Sequence, residues 1–211
     1  MDQTTRVKPK RASRKLTEQK ILHAAEDVFA QFGFQGATVN TIAEKAGLTK
    51  QNLLYYFPSK EVLYQRVLEN ILDLWLDKMN LLLQQGDGPK AMLSSYIRSK
   101  IEISQAHPNG SKVFANELIN GAPHLKEHLQ QYLLPKLEDD VALIRLWISE
   151  GKMDDVDPYH LFFMIWASTQ TYADFASQIE LALGKPKLVN QDYENAIRFL
   201  TNMVLKGLGI K

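Results

Sequence analysis

The chain has 211 residues, 45% of them apolar and 23% charged, with 25 basic and 24 acidic side chains and no cysteine. A chain of this length buries a core without covalent staples, and the lack of cysteine excludes disulfides and thiolate metal sites. No apolar leader opens the sequence and no run approaches the roughly 18 apolar residues of a membrane span, so the expected location is the cytoplasm, with no membrane partner.

Charge is uneven along the chain. Residues 1–20 hold seven Lys and Arg against two acids, while the rest is net acidic. Residues 1–16 are expected to be a basic flexible arm, too polar to pack, with Arg11 and Arg14 available to a polyanion. A solubilising tail accounts for the same composition. Beyond the arm the periodicity is helical throughout, and the expected fold class is all-α. The first helix is predicted from Thr17, as N-cap, to Gly33, with an apolar stripe of Ile21, Leu22, Ala25, Val28, Phe29 and Phe32. A short helix follows from a Thr38 cap through Ala46. Gly47 breaks it, and Thr49 caps a third helix to about Tyr56. A long fourth helix is predicted from about Ser59 to Gln85, and Gly86 to Pro89 reads as a loop. Further helices are predicted at about 90–106, 110–120, 124–134, 136–151, 158–183 and 190–208. Asp157-Pro158 gives an N-cap with proline at the first helical position.

Residues 38–57 carry the most information. Two short helices joined by a tight turn at Gly47-Leu48, preceded by a longer one, make the arrangement that lays its last helix in a DNA major groove. The outward side chains of that helix are Thr49, Lys50, Gln51, Asn52, Tyr55 and Tyr56. Amides pair with adenine edges, and a lysine pairs with guanine or phosphate. Leu53, Leu54 and Phe57 are expected to pack inward. Any capped surface helix is polar outside; the preceding helices, the turn glycine and the basic arm together favour DNA.

The stretch Thr38-Val39-Asn40-Thr41-Ile42-Ala43-Glu44-Lys45-Ala46-Gly47-Leu48-Thr49, with Leu53, Tyr55, Phe57, Ser59-Lys60 and Leu63 after it and Ala25, Phe29, Gly33 and Gly36 before it, resembles the signature of the TetR family over residues 17–65. The resemblance implies a three-helix DNA-binding domain at 17–60, and an effector-binding and dimerisation domain at 61–211 that begins with the linking fourth helix. It also implies roles: Thr38 as a phosphate-contacting cap, Lys50, Gln51 and Asn52 for base readout, Tyr55 and Tyr56 on phosphates, and Lys60 on the DNA backbone. Leu54 stands where a tyrosine is common and Tyr56 where a histidine is common, which leaves the detailed contacts open. The implied partners are double-stranded DNA with a palindromic operator, a small-molecule effector, and a second copy of the chain through the last two helices. On those helices, Phe162, Ile165, Trp166, Thr169 and Ala173 form one apolar side, and Tyr193, Ile197, Leu200, Val204 and Leu208 another. Core within one chain is the alternative reading of both sides.

Within that family the chain resembles the regulators of pyrimidine utilisation. The segments are Leu53 to Glu61, Ile71 to Leu76, Tyr96-Ile97-Arg98 with Lys100, Gly121-Ala122-Pro123, Met164 to Gln170, and Tyr172 to Phe175. This implies a pocket for a small planar nitrogen heterocycle such as a pyrimidine base, as effector of a repressor. Trp166, Gln170 and Asp174 recur at i, i+4 and i+8 on one helix face. Trp75 and Phe114 are candidate opposite walls, with Lys100 and Glu117 as charges. Core packing for Trp166 and pairing across an interface for Gln170 and Asp174 are the structural alternative, and a different small effector is the functional one.

No nucleophile elbow, phosphate loop or dinucleotide fingerprint is present, so neither an enzyme nor a cofactor is expected. His124 and His128 have zinc-compatible spacing, but no third ligand is near them in sequence. A helical protein-interaction module is a further alternative, disfavoured by the helix-turn-helix and the basic arm.

Overall fold

The computed structural model describes residues 9–84 and 88–210, with side chains for all of these except 9–12 and 78–84. Among the described residues every regular element is helical. The chain divides into two compact units, Met1–Glu69 and Asn70–Lys211, and the boundary falls inside the long fourth helix.

The first unit contains α1 (Pro9–Gly36), α2 (Val39–Lys45), α3 (Lys50–Tyr56) and the start of α4 (Lys60–Gln84). Helix α1 begins at Pro9, so the arm expected to be flexible is helical from that residue onward; residues 1–8 lie outside the described residues. The reason is local. Proline is at home in a first helical turn, and Lys, Arg, Ala and Leu, which dominate 10–16, are good helix formers even without an apolar stripe. The Arg14 Nε–Glu18 Oε1 pair at 3.0 Å ties the next turn. Thr17 is therefore not an N-cap: its hydroxyl donates to the Ser13 carbonyl inside the helix at 3.1 Å. Gly33, at φ 66 and ψ 177, ends the regular run in a conformation that glycine alone adopts freely. Ile21, Ala25, Val28 and Phe29 of α1, Ile42 and Ala43 of α2, Leu53 of α3, and Leu63, Tyr64 and Val67 of α4 are buried in this unit. Phe32, expected in the α1 stripe, is instead half exposed.

The second unit contains the rest of α4, then α5 (Gly88–Ala106), α6 (Pro108–Ile119), the single turn α7 (Lys126–His128), α8 (Leu134–Ser149), α9 (Pro158–Asp174), α10 (Ala176–Ala182) and α11 (Asn190–Gly207). Between α7 and α8 the chain widens into a π-helical turn, Leu129–Leu133, with the Leu134 N–H on the Leu129 carbonyl. Pro135 follows immediately and has no N–H to continue an α ladder. The helix expected over 158–183 breaks at Phe175, where φ is −117 and ψ is 29.

Helix α5 lies between α9 and α11 at the centre of this unit. Leu93, Tyr96, Ile97 and Ile101 of α5 pack with Val141, Ile144 and Trp147 of α8, Phe162 and Ile165 of α9, and Ile197 and Val204 of α11. The apolar sides picked out on the last two helices thus serve as core within one chain. Their opposite sides present Phe163, Met164, Phe199 and Met203, each about half exposed or more. Among the described residues no helix is long and apolar enough to cross a membrane.

Candidate DNA-reading helix and effector cavity

The reading helix is set by its caps. Thr38 accepts the Thr41 N–H at 3.1 Å to start α2, and Thr49 accepts the Asn52 N–H at 3.2 Å to start α3. Between them Gly47 has φ +68. Its N–H reaches the Glu44 carbonyl at 3.0 Å and the Leu48 N–H reaches the Ala43 carbonyl at 2.9 Å, the paired bonds of a Schellman turn. Lys45 pairs with Asp27 at 2.9 Å, fastening α2 to α1.

This frame buries Leu53 and Phe57, leaves Leu54 half-buried, and exposes Lys50, Gln51, Asn52 and Tyr55 together. Tyr55 is 72% exposed, and Tyr56 meets it edge to face at 5.4 Å. The Arg14 guanidinium stands 5.8 Å from the centre of each tyrosine ring. Arg14 thus reaches the reading helix from α1, which the sequence left as a free arm. The Arg11 side chain lies outside the described residues. Lys60 is turned inward: its Nζ donates to the carbonyls of Phe34 at 2.8 Å and Ala37 at 3.2 Å, and lies 4.4 Å from the centre of the Phe34 ring.

The second unit contains a partly open cavity of about 120 Å³ lined by Leu72, Trp75, Lys100, Phe114, Leu118, Leu129, Leu133, Trp166 and Gln170. Cavities of ~150 Å³ hold a benzene ring, so the space suits one small ring. Trp75 and Phe114 meet edge to face at 4.4 Å. The Lys100 Nζ lies 4.3 Å from the Trp75 ring centre and 3.5 Å from the Gln170 Oε1. Lys100 is 3% exposed, and burial pulls its ammonium down to about 7 against the opposing field of Asp174. The Trp75 Nε1 is buried with no hydrogen-bond partner among the described residues. Trp166 donates its indole N–H to the Tyr96 hydroxyl at 2.7 Å, which fixes the ring.

Trp75, Lys100, Phe114, Trp166 and Gln170 are thus brought together, while two other predicted ligand contacts stand outside the lining. Asp174 accepts from Ser111 Oγ at 2.6 Å, and burial raises its pKa against Ser111 and Lys100. Glu117 braces the chain after α6, accepting the His124 N–H at 2.6 Å. His124 Nδ1 lies 3.3 Å from Glu117, whereas His128 Nε2 lies 3.9 Å from Asp73, so the two histidines face different carboxylates. The sequence missed Leu72, Leu118, Leu129 and Leu133. Leucines on amphipathic helices look alike whether they face core or cavity, so no sequence signal marks them. Larger open grooves lie elsewhere on this unit, one lined by Arg98, Glu194 and Arg198, whose Arg98 and Glu194 already pair at 2.7 Å.

A helix-turn-helix in one unit and a small, largely apolar cavity among the helices of the other fit a helical, ligand-responsive DNA-binding regulator. The chain belongs to the TetR family of bacterial regulators. Residues 21–67 match the model for bacterial regulatory proteins of the tetR family, and residues 68–211 match that for the YcdC-like protein C-terminal region. The chain is 46% identical to the HTH-type transcriptional regulator RutR of Escherichia coli strain K12 over 87% of its own length and 88% of that protein's. It is 26% identical to the HTH-type transcriptional repressor NicS of Pseudomonas putida over 97% of both. The fold matches the ketosteroid transcriptional regulator KstR2 of Mycobacterium tuberculosis at TM-score 0.72 and 20% identity, over 90% of this chain and 94% of that one. The protein is a ligand-responsive DNA-binding transcriptional regulator, and its relatives are named as transcriptional regulators and repressors.

Proposed function

We propose that the protein is a homodimeric cytoplasmic repressor that leaves a palindromic operator when a small planar nitrogen heterocycle, a pyrimidine base first among them, enters the cavity. The observation that carries the effector class is the cavity wall. Lys100 and Gln170 bring an ammonium and an amide to the lining, while Trp75, Trp166, Phe114 and four leucines supply apolar surface. A flat ring bearing carbonyl acceptors satisfies both. The similarity to RutR over most of both chains supports the same choice.

Thr49, Lys50, Gln51, Asn52, Tyr55 and Tyr56 are the groove-facing set, with Thr38 and Arg14 as flanking contacts. The dimer is supported by the exposed Phe163, Met164, Phe199 and Met203 and by an apolar groove between α9 and α11 lined by Leu161, Met164, Met203 and Val204. Two reading helices would then stand about 34–36 Å apart, one turn of DNA. Helix α4 contributes to both units: Lys60 begins it, and Leu72 and Trp75 line the cavity. An effector acts only through unequal affinity for the DNA-bound and free states.

The test is a thermal-shift panel of nucleobases, followed by a gel shift on DNA upstream of the protein's own gene. A pyrimidine at 100 times its dissociation constant should add about 2.7 kcal/mol and release the DNA. No shift with any pyrimidine overturns the effector; no binding of that DNA at low salt overturns the operator.

A further inference from the structure

The end of α1 lacks what a helix C-terminus attracts. Gly33 ends the regular run of α1 at φ 66, and the turn that follows it has no basic residue of its own. Lys60 has the converse problem. It is the first residue of α4, beside a Ser59 hydroxyl that accepts the Val62 N–H at 3.2 Å, and a cation at a helix N-terminus is disfavoured. Both mismatches are resolved by one contact. The Lys60 side chain leaves its own helix and gives two of its three N–H bonds to the Phe34 and Ala37 carbonyls, with the Phe34 ring beneath the ammonium.

The place of this contact gives it a role in DNA reading. Ala37 directly precedes Thr38, the cap that orients α2. Phe34 packs on Tyr64, one turn further along α4, at 4.8 Å. We infer that Lys60 is a positioning residue, an ionic clasp that ties the first turn of α4 to the α1–α2 junction and so sets the angle at which Thr38 and the reading helix meet DNA; it acts through protein carbonyls and not through phosphate. The inference rests on the DNA-reading function proposed above.

Salt dependence separates the two roles. Each phosphate neutralised by a lysine contributes roughly 0.9 to the slope of log affinity against log salt. The experiment measures binding of wild type, Lys60→Met and Lys60→Arg to a duplex selected by the wild-type protein from random-sequence DNA. Fluorescence anisotropy is read between about 50 and 200 mM salt, well below each protein's melting temperature. Lys60→Met should bind about tenfold more weakly, the loss expected when one charge-assisted hydrogen-bond set goes, with the wild-type slope. Lys60→Arg, which keeps the charge and the donors, should recover most of the affinity. A slope smaller by roughly 2 per dimer in Lys60→Met would reassign the lysine to phosphate and overturn the inference. Unchanged affinity per folded dimer, with only a lower melting temperature, would overturn it as well, leaving a purely structural contact. If Lys60→Met does not fold, Lys60→Gln, which keeps amide donors without charge, is read by the same criteria. Failure of the wild-type protein to bind any duplex would strike the DNA-reading proposal itself, a result distinct from these.

Discussion

The ammonium of Lys100 stands 4.3 Å above the centre of the Trp75 ring, inside the second unit and away from solvent. Burial pulls that group down to about 7, so at neutral pH it sits at the edge of losing its proton. An effector that accepts a hydrogen bond from Lys100 favours the charged form. Binding should therefore take up a proton above pH 7, and affinity should fall as pH rises from 7 to about 9. Calorimetry in buffers of different ionisation heat reads the uptake directly. Lys100→Met should weaken the effector and remove its pH dependence while sparing DNA affinity; a flat profile in the wild type would show that Lys100 does not face the ligand.

The Trp166 indole N–H has the Tyr96 hydroxyl as its acceptor, at 2.7 Å. Tyr96→Phe keeps the ring and removes the acceptor. The expected cost is about 1 kcal/mol in stability, with a weaker effector response because the Trp166 ring is no longer held. Chemical denaturation and a ligand titration on the same variant check both. A full effector response would mean that the ring is fixed by packing alone.

Asp140 on α8 is 1% exposed, and neither carboxylate oxygen has a hydrogen-bond partner among the described residues. Burial pushes its pKa up to about 7, opposed by Lys136 and reinforced by Asp139. Between the ordinary aspartate value and 7 the folded state holds a proton that the unfolded chain has released. Stability should therefore fall as pH rises through that window, by up to about 4 kcal/mol at 1.36 kcal/mol per unit. Asp140→Asn should flatten this part of the profile, gaining more at pH 8 than at pH 5. Equal effects at both values, in urea denaturation, would place the titration elsewhere.

Gly47 adopts φ +68, and no atom lies near enough to obstruct a Cβ there. Gly47→Ala should therefore cost only the left-handed strain, about 1 kcal/mol. DNA affinity should drop further than this if the turn angle sets the reading helix. Comparing the loss of melting temperature with the loss of binding separates the two; proportional losses would show that the turn affects folding only.

Phe199 and Met203 lie on the outer side of α11, 62% and 58% exposed. Phe199→Glu should disperse a dimer built on that face, giving a monomer in sedimentation and at least a hundredfold loss of operator affinity, of the order set by losing two-site binding. A dimer that persists in Phe199→Glu and in Met203→Glu would move the interface off this face.

The three-helix reader was legible because its signals are local. Two threonine caps and one glycine turn mark where α2 and α3 begin and turn, each within a few residues of the group it bonds. The helical extension back to Pro9 was not legible, since a Lys- and Arg-rich stretch without an apolar stripe reads as unfolded until the Arg14–Glu18 pair is seen. The break at Phe175 was also hidden, because 158–183 is periodic on both sides of it. In the cavity, spacing pointed to Trp166 and Gln170 but also to Asp174, whose carboxylate turns to Ser111, one helix away. The inward turn of Lys60 depends on carbonyls 23 and 26 residues earlier, a relation that no window of sequence contains.

The cavity lining is drawn wholly from residues 70–211, whereas every outward side chain of α3 belongs to residues 1–69. On the function proposed above, the chemical cue and the genomic address are written in separate stretches of the gene. On that reading, substitutions at Leu118, Leu129 or Gln170 should retune which small molecule is sensed without rewriting where the protein sits on a chromosome. On the same reading a lineage can exchange one effector for another while keeping its operators.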